Sequence, residues 1–381
     1  MSNTIEPERI LVLGGVSLSL LNFRGPLLKR LKLRGHEVVA AAPPDENAAS
    51  VADTLESWGI RFMPVSLSRG SANPIRDWSS FCAIKRLLAE VRPNSLIAYT
   101  VKPVVYGGMA ARSVGGVRFF PMITGLGYAF TEGAGLKRAL LRQVVMGLYR
   151  RGLKDAEKVI FQNPDDQALF EQLGLVNDPQ RSVRVYGSGV DRVDFPEHPL
   201  PDDQVFLMVA RLVADKGVRE YVEAARQVRE RFPNTRFLLA GGLDPNPAGI
   251  SQAEVDEWVA EGAIEYLGAV QPIQSVLAQC RYFVLPSYYR EGTPRSVLEA
   301  MSTGRPIITT DAPGCRETVK HGRNGLLVPP RDSRGLADAM ESLLQRPRDV
   351  IVSMSEESLG LVRERFDVDR VNDHLLSITN L

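Results

Sequence analysis

Cysteine is scarce in this chain: among 381 residues only Cys82, Cys280 and Cys315 occur. Their spacing suits neither a disulfide framework nor a metal site, so a reducing compartment is expected. Neither sign of charge dominates. A formal net charge of +1 argues against a nucleic-acid binder, which carries a basic excess. No run of about 18 apolar residues occurs, so no bilayer-spanning helix is expected. A secretory leader is not expected either, because Thr4 to Arg9 is polar and the apolar stretch from Ile10 breaks at Arg24. Short internal repeats and low-complexity segments are also missing. What remains is a globular composition with substantial cores, 44% hydrophobic and 24% charged, at a length that suits two or three domains.

Short apolar runs alternate with longer amphipathic stretches. Arg9–Leu13, Glu37–Ala42 and Ser95–Tyr99 read as strands, and residues 26–34 and 48–58 as helices. Such alternation implies βαβ units and parallel sheets covered on both faces. It pauses between Asp191 and Gln204, where Asp194-Phe195-Pro196-Glu197-His198-Pro199-Leu200-Pro201 is too rich in proline for an element interior. A second cycle follows, with strands at 205–210, 236–240, 265–267, 282–285 and 306–310 and helices at 219–231 and 294–302. The expected fold class is α/β, with two Rossmann-like domains over residues 1–195 and 204–362. Open parallel sheets take ligands at the carboxyl ends of their strands, so two such domains facing each other would form a cleft between ligand-binding edges.

Two clusters in the second domain carry most of the chemistry. The first is Glu291-Gly292-Thr293-Pro294-Arg295-Ser296-Val297-Leu298-Glu299. Thr293 suits an N-cap and Pro294 a first helical residue. A helix starting there aims free N–H groups and its positive dipole end at the preceding loop, an arrangement suited to phosphate. Glu291 stays in the loop and Glu299 lies further along the helix, so the two carboxylates could accept from hydroxyls at opposite ends of one ligand. The plainer alternative is two solvated glutamates around an ordinary capped helix.

The second cluster is Arg211 with Lys216. Fixed cations stabilise the charge that builds on a departing phosphate when a glycosidic bond to a nucleotide diphosphate breaks. Arginine can grip two phosphate oxygens, and lysine supplies a compact point charge. No metal-binding Asp-x-Asp or histidine cluster is apparent with them, so they would stand in place of a divalent ion, and no metal or other cofactor is expected. Otherwise they are a surface pair at a helix start, where cations sit poorly without an anion nearby.

Glu291 through Glu317, EGTPRSVLEAMSTGRPIITTDAPGCRE, closely resembles the donor-sugar segment of glycosyltransferase family 4, the retaining transferases of the GT-B fold. Val209-Ala210-Arg211-Leu212 followed by Asp215-Lys216-Gly217-Val218 is similar to that family's basic diphosphate clamp. Order and separation match too, and the resemblance covers most of the chain. It implies Arg211, Lys216 and Glu291 as the catalytic set, with Glu291 on a hydroxyl of the transferred sugar and Glu299 on the ribose. Gly292, Thr293, Pro294 and Arg295 would offer main-chain contacts to sugar or diphosphate, and the base would lie beside Tyr266-Leu267-Gly268. In the front-face mechanism of such enzymes the departing phosphate helps to deprotonate the acceptor hydroxyl. The glycosidase template of two flanking carboxyls therefore does not apply. The resemblance also implies a terminal helix near 369–379, within residues 363–381, that packs back on the first domain.

One departure concerns a histidine that many members carry in the first domain near the donor sugar. Here the region reads Tyr99-Thr100-Val101-Lys102-Pro103, which leaves Thr100 and Lys102 as substitutes on the acceptor side, while His36 reads as structural. Ser68 to Pro74, Gly241 to Pro247 and Pro286 to Glu291 resemble a narrower group. Its bacterial members add N-acetylgalactosamine, in α-1,3 linkage, to undecaprenyl-diphosphate-linked bacillosamine. The partners implied are a UDP-sugar, a polyprenyl-diphosphate-linked saccharide and a membrane surface, at a cytoplasmic, peripheral location on the inner membrane face.

Three features of the first domain stay open between function and packing. Gly14-Gly15 follows the first strand and either lets backbone approach a ligand or makes a plain tight turn; the string is not G-x-G-x-x-G. Thr124-Gly125-Leu126-Gly127-Tyr128 is either a second acceptor-side loop or an ordinary crossover turn. Residues 136–154 read as a basic amphipathic helix. It carries Lys137, Arg138, Arg142, Arg150 and Arg151 beside an apolar stripe of Leu136, Leu140, Leu141, Val144, Val145 and Leu148. It would dock on anionic lipid or pack into the core. Lys29, Arg30, Lys32 and Arg34 add a second basic patch. Rival readings are a UDP-N-acetylglucosamine 2-epimerase, which would act on UDP-sugar without acceptor, and a sugar-nucleotide sensor, which would bind without turnover.

Overall fold

A computed structural model describes residues 6–67, 74–126, 130, 136–246 and 248–381, with only the backbone of 74, 75 and 136–139. The chain forms two compact units, residues 1–188 with 369–381, and residues 189–368.

The first unit is built on seven parallel strands: β1 (Arg9–Leu13), β2 (Glu37–Ala42), β3 (Arg61–Pro64), β4 (Ser95–Tyr99), β5 (Arg118–Ile123), β6 (Val159–Phe161) and β7 (Ser182–Arg184). Their order is β3-β2-β1-β4-β5-β6-β7. Leu11, Leu13, Val39, Ala41, Leu96 and Ala98 feed one hydrophobic core. Their neighbours Ile10, Val12, Val38, Ala40, Ile97 and Tyr99 feed the core on the opposite face. With both faces covered, each strand reads as a continuous apolar run rather than an alternating one.

The second core of this unit is completed from the far end of the chain. Val371, Leu375 and Leu376, on the helix Val368–Thr379, and Leu381 just beyond it pack into this core. Arg30 donates to Asp373 (Nε to Oδ1 3.0 Å), and Arg34 donates to the main-chain oxygen of Leu381. Lys29 lies 4.1 Å from the Trp58 ring centroid. Lys29, Arg30 and Arg34 of the expected second basic patch are thus engaged within their own unit, because the terminal helix brings carboxylates against the two arginines, while Lys32 is exposed. His36 is structural, accepting at Nδ1 from the main-chain N–H of Glu8, and burial lowers its pKa.

The second unit has six parallel strands: β8 (Val205–Val209), β9 (Arg236–Ala240), β10 (Glu265–Gly268), β11 (Tyr282–Leu285), β12 (Ile307–Thr310) and β13 (Gly325–Val328). They run in the order β10-β9-β8-β11-β12-β13 around a single core. The unit boundaries correct the expected 195, 204 and 363. Val190, Phe195 and Phe366 are buried in this second core. Val190 also bonds through its N–H to Phe366 and through its carbonyl to the Val368 N–H, so residues 189–195 and 363–368 belong to the second unit. Among the described residues, no helix is long and apolar enough to cross a membrane.

Candidate functional site

The cations expected to clamp a diphosphate follow β8. The chain runs from Arg211 into a single turn, Ala214–Lys216, closed by Gly217 at φ 78°. That glycine is required twice over. Its φ is left-handed, and a Cβ there would come within 2.1 Å of the Pro286 carbonyl oxygen. The close approach brings in the segment after β11: the N–H groups of Tyr288 and Tyr289 donate to the Asp215 carbonyl at 3.0 and 2.9 Å.

Lys216 and Glu291 consequently meet. The ammonium donates to Glu291 Oε1, which also accepts from Ser287 Oγ at 3.0 Å. Lys216 lies 5.5 Å from the Tyr289 ring centroid as well. The loop that carries Glu291 is held from behind by Gly314 at φ 83°, where a Cβ would stand 2.5 Å from the Glu291 carbonyl oxygen.

The helix after Glu291 starts one residue later than expected. It spans Arg295–Ser302, with Pro294 in the N-cap position at φ −70°, ψ 115° and no side-chain cap. Proline has no side-chain acceptor, and Thr293 lies outside the cap. The helix is anchored by Val297, Leu298, Ala300 and Met301, all buried. Its polar edge pairs Arg295 Nε with Glu299 Oε1 at 2.8 Å. Burial raises the Glu299 pKa, and Arg295 opposes the shift.

Arg211 is turned toward Asp244, with Nη1 to Oδ2 at 2.7 Å. Asp244 is itself fixed, its Oδ1 accepting from the Asn246 N–H at 2.9 Å. Each expected cation of this unit therefore has a carboxylate partner: Arg211 with Asp244, Lys216 with Glu291, and Arg295 with Glu299. Tyr266 donates to the Gly241 carbonyl at 2.8 Å, and Leu267 is exposed. Ser287 and Asp244 were present in the sequence strings but not read as polar anchors. Asp followed by Pro-Asn, a turn in which the carboxylate bonds backbone two residues on, was the signal for Asp244.

In the first unit, Gly14 and Gly15 end β1 without a left-handed φ. Space is what requires glycine there. A Cβ on Gly14 would fall 2.4 Å from the Tyr99 hydroxyl, and one on Gly15 would fall 2.6 Å from Thr100 Oγ1. Tyr99 is hydrogen-bonded to Ser19 Oγ at 2.8 Å, and burial pushes its phenol up to about 12. Lys102 is paired with Asp77 at 2.7 Å, joining the helices Pro74–Val91 and Val101–Val114. Thr124 and Gly125 follow β5, with Gly125 at φ 122°. Gly127 and Tyr128, residues 68–73 and Pro247 lie outside the described residues.

The basic helix spans Leu136–Leu153. Met146, Tyr149 and Leu153 form its buried face, and the helix lies so close to Val101–Val114 that a Cβ on Gly108 would stand 1.9 Å from the Gly152 oxygen. The expected stripe is therefore split: Val145 and Leu148 pack against the core, and Leu140 and Val144 face outward. Leu141, Val145 and Leu148 are half-buried, but Leu140 and Val144 are 68% and 53% exposed. Arg142 lies 5.7 Å from the Phe130 ring centroid, Arg150 donates to the Leu173 carbonyl at 3.1 Å, and Arg151 is exposed. The side chains of Lys137 and Arg138 lie outside the description. Among the described residues, no group of three or more His, Cys, Asp or Glu side chains is placed to hold a metal.

Two family models match. Residues 9–163 fit the description "Glycosyl transferase 4-like", and residues 203–346 fit "Glycosyl transferases group 1". A Campylobacter jejuni relative is 30% identical over 88% of this chain and 89% of its own length. It is named N,N'-diacetylbacillosaminyl-diphospho-undecaprenol alpha-1,3-N-acetylgalactosaminyltransferase. EpsD of Bacillus subtilis, a putative glycosyltransferase by name, is 24% identical over 89% of this chain and 88% of its own. Among solved structures, Anabaena HepE in complex with UDP superposes with a TM-score of 0.76 at 19% identity, covering 98% of this chain and 100% of the other. The chain belongs to glycosyltransferase family 4 and has its two-Rossmann GT-B fold.

Proposed function

We propose that this enzyme moves a sugar, an N-acetylhexosamine such as N-acetylgalactosamine, from a UDP-sugar to a saccharide carried on a polyprenyl diphosphate. Anomeric configuration is retained, and the reaction takes place at the inner membrane face. The observation that carries the reading is the Lys216–Glu291 pair. Drawn to a diphosphate, the Lys216 ammonium would leave a Glu291 oxygen to accept from a hydroxyl of the transferred sugar. One ligand would then satisfy both groups. Arg211 would leave Asp244 for the same diphosphate, and Glu299 would take the ribose hydroxyls.

In the transfer, the acceptor oxygen bonds to the anomeric carbon on the face from which the UDP phosphate departs. The bond from carbon to phosphate oxygen breaks, and the acceptor proton passes to that phosphate. Lys216 and Arg211 stabilise the charge left on it. The names of two similar proteins support the substrates: the Campylobacter relative acts on an undecaprenol-linked diphosphate, and HepE has been solved with UDP-glucose. Leu140 and Val144, exposed beside Arg142 and Arg151, would lie against lipid.

The test is a screen of radiolabelled UDP-sugars with an undecaprenyl-diphosphate-linked hexosamine, followed by linkage analysis of the product. Transfer with an α-linked product is expected. Epimerisation or hydrolysis of UDP-sugar without any acceptor, or binding without turnover, would overturn the reading.

A further inference from the structure

The loops after β2 and β3 and the opening turns of the helix Pro74–Val91 line a cavity of about 540 Å³ within the first unit. That is a volume suited to a small ligand. Asp45 supplies a carboxylate to it, Arg76 a guanidinium, and Ser66, Ser79 and Ser80 hydroxyls. Pro43, Pro44 and Leu67 add apolar surface.

The walls are fixed by contacts of their own. The Asp45 carboxylate accepts from the Ser17 N–H at 3.0 Å, from the Ser17 hydroxyl and from the Asn47 N–H at 3.2 Å. Ser17 is fully buried. On the helix, Lys102 holds Asp77 at 2.7 Å, and the buried Ser80 hydroxyl donates to the Arg76 carbonyl at 3.0 Å. Polar groups held in this way are pre-organised for a ligand.

The chemistry selects a saccharide. A carboxylate in the wall opposes an anionic ligand. None of the lining residues is aromatic, so a nucleobase finds no ring to stack on. Sugar hydroxyl and acetamido groups both donate and accept, which matches one carboxylate, one guanidinium and three serines. The C–H face of a pyranose suits the prolines and the leucine.

Position supplies the role. β2 lies beside β1 and β3 beside β2. With neighbouring strands about 4.8 Å apart, the cavity stands about 5–10 Å along the carboxyl edge from the end of β1. Strand order reverses between β1 and β4, which opens the crevice at which open α/β sheets take their ligands. Asp45 joins the two places, because it lines the cavity and also holds the turn after β1 through Ser17.

We propose that this cavity is a subsite for the second sugar of the acceptor, the unit next to the one that receives the transferred residue. It makes the enzyme prefer acceptors of two or more sugars. The role rests on the transferase reading above; the saccharide chemistry of the cavity does not.

The test compares initial rates with undecaprenyl-diphosphate acceptors that carry one or two hexosamines. Wild type is expected to favour the disaccharide acceptor about tenfold in kcat/KM, the worth of one hydrogen bond. Ser79→Trp fills the cavity and Arg76→Ala removes its cation, both at exposed positions. In each variant the preference should fall toward one, mainly through the acceptor KM. Should Ser79→Trp not fold, Arg76→Ala decides. Wild type that uses both acceptors equally, or favours the shorter, overturns the proposal, as does a preference left intact in the variants. Transfer to neither acceptor means that the transferase reading has failed instead. The cavity is then judged by titrating free N,N'-diacetylchitobiose into wild type and Arg76→Ala, followed by NMR. Binding that weakens in the variant supports a saccharide site; equal binding, or none in wild type, refutes it.

Discussion

Lys216 and Glu291, 75 positions apart in sequence, form an ion pair whose side chains are only 15% and 11% exposed. The pair is inherited from two glycine-dependent close approaches, Gly217 on Pro286 and Gly314 on the Glu291 loop. On the proposed reading, such a pair would serve the resting fold and the reaction together.

Replacing Lys216 with alanine is therefore expected to do two things. Transfer should fall about a hundredfold or more, as when a fixed stabiliser of developing charge is removed. Stability should fall by about 1–3 kcal/mol, because a largely buried carboxylate loses its cation. Denaturant unfolding and initial rates check both. The double variant Lys216→Met with Glu291→Gln should regain stability without regaining activity. Wild-type rates in Lys216→Ala would remove this pair from the mechanism.

Glu299 gives a pH dependence. Burial raises its pKa above that of an ordinary glutamate, so folding favours the neutral acid. Stability from this group is greatest at low pH and is lost as pH rises through the raised value. On the proposed reading donor binding would run the other way, since a carboxylate at Glu299 would be the form that accepts two ribose hydroxyls. UDP affinity measured by calorimetry should therefore decline on acidification before an ordinary glutamate would protonate. Glu299→Gln should bind more weakly and lack that decline; an identical decline in the variant assigns it to another group.

The exposed apolar pair on the basic helix is open to a membrane test. Changing Leu140 and Val144 to serine should leave stability within about 0.5 kcal/mol, since neither is buried. Co-sedimentation with anionic vesicles should drop. Neutralising Arg142 and Arg151 should cost about 1 kcal/mol of vesicle binding each. Unchanged sedimentation in both variants would rule out this face as the docking surface.

Asp373 bonds both Arg30 and Arg34. All three side chains are partly exposed, so screening limits what the contacts contribute. Asp373→Ala is expected to destabilise by about 1 kcal/mol, less in high salt. A double-mutant cycle with Arg30→Ala, read by urea unfolding, should show positive coupling between the two sites; strict additivity would mean that the latch holds nothing.

Much of the fold was legible because both-face burial turns strands into uninterrupted apolar runs. Arg9–Leu13, Glu37–Ala42, Ser95–Tyr99, Arg236–Ala240 and Tyr282–Leu285 stand where the sequence puts them. The helix after Glu291 was read one residue early, because Pro294 suits a first helical turn and also the extended residue before it. The apolar stripe misled for another reason. Helical spacing reveals that a face exists but not how far it turns toward the core, and the Gly108–Gly152 approach buries Met146 and Tyr149 while Val145 and Leu148 of the stripe pack only at its edge. In the candidate site the cations were visible in sequence, but their resting partners were not. Asp244 and Ser287 act through turns whose geometry depends on distant backbone. Nor could sequence disclose the positive φ of Thr100.

The terminal helix sets an order of assembly during synthesis. The second unit is one continuous stretch, residues 189–368, whereas the first needs residues 369–381. Val371, Leu375, Leu376 and Leu381 fill an interior that also holds Ile10 and Val12. On the ribosome, the unit begun first can thus be completed only after all of the second unit has been made. Until residues 369–381 emerge, the first unit lacks side chains that cover one apolar flank, and exposed apolar surface of this kind is prone to aggregation.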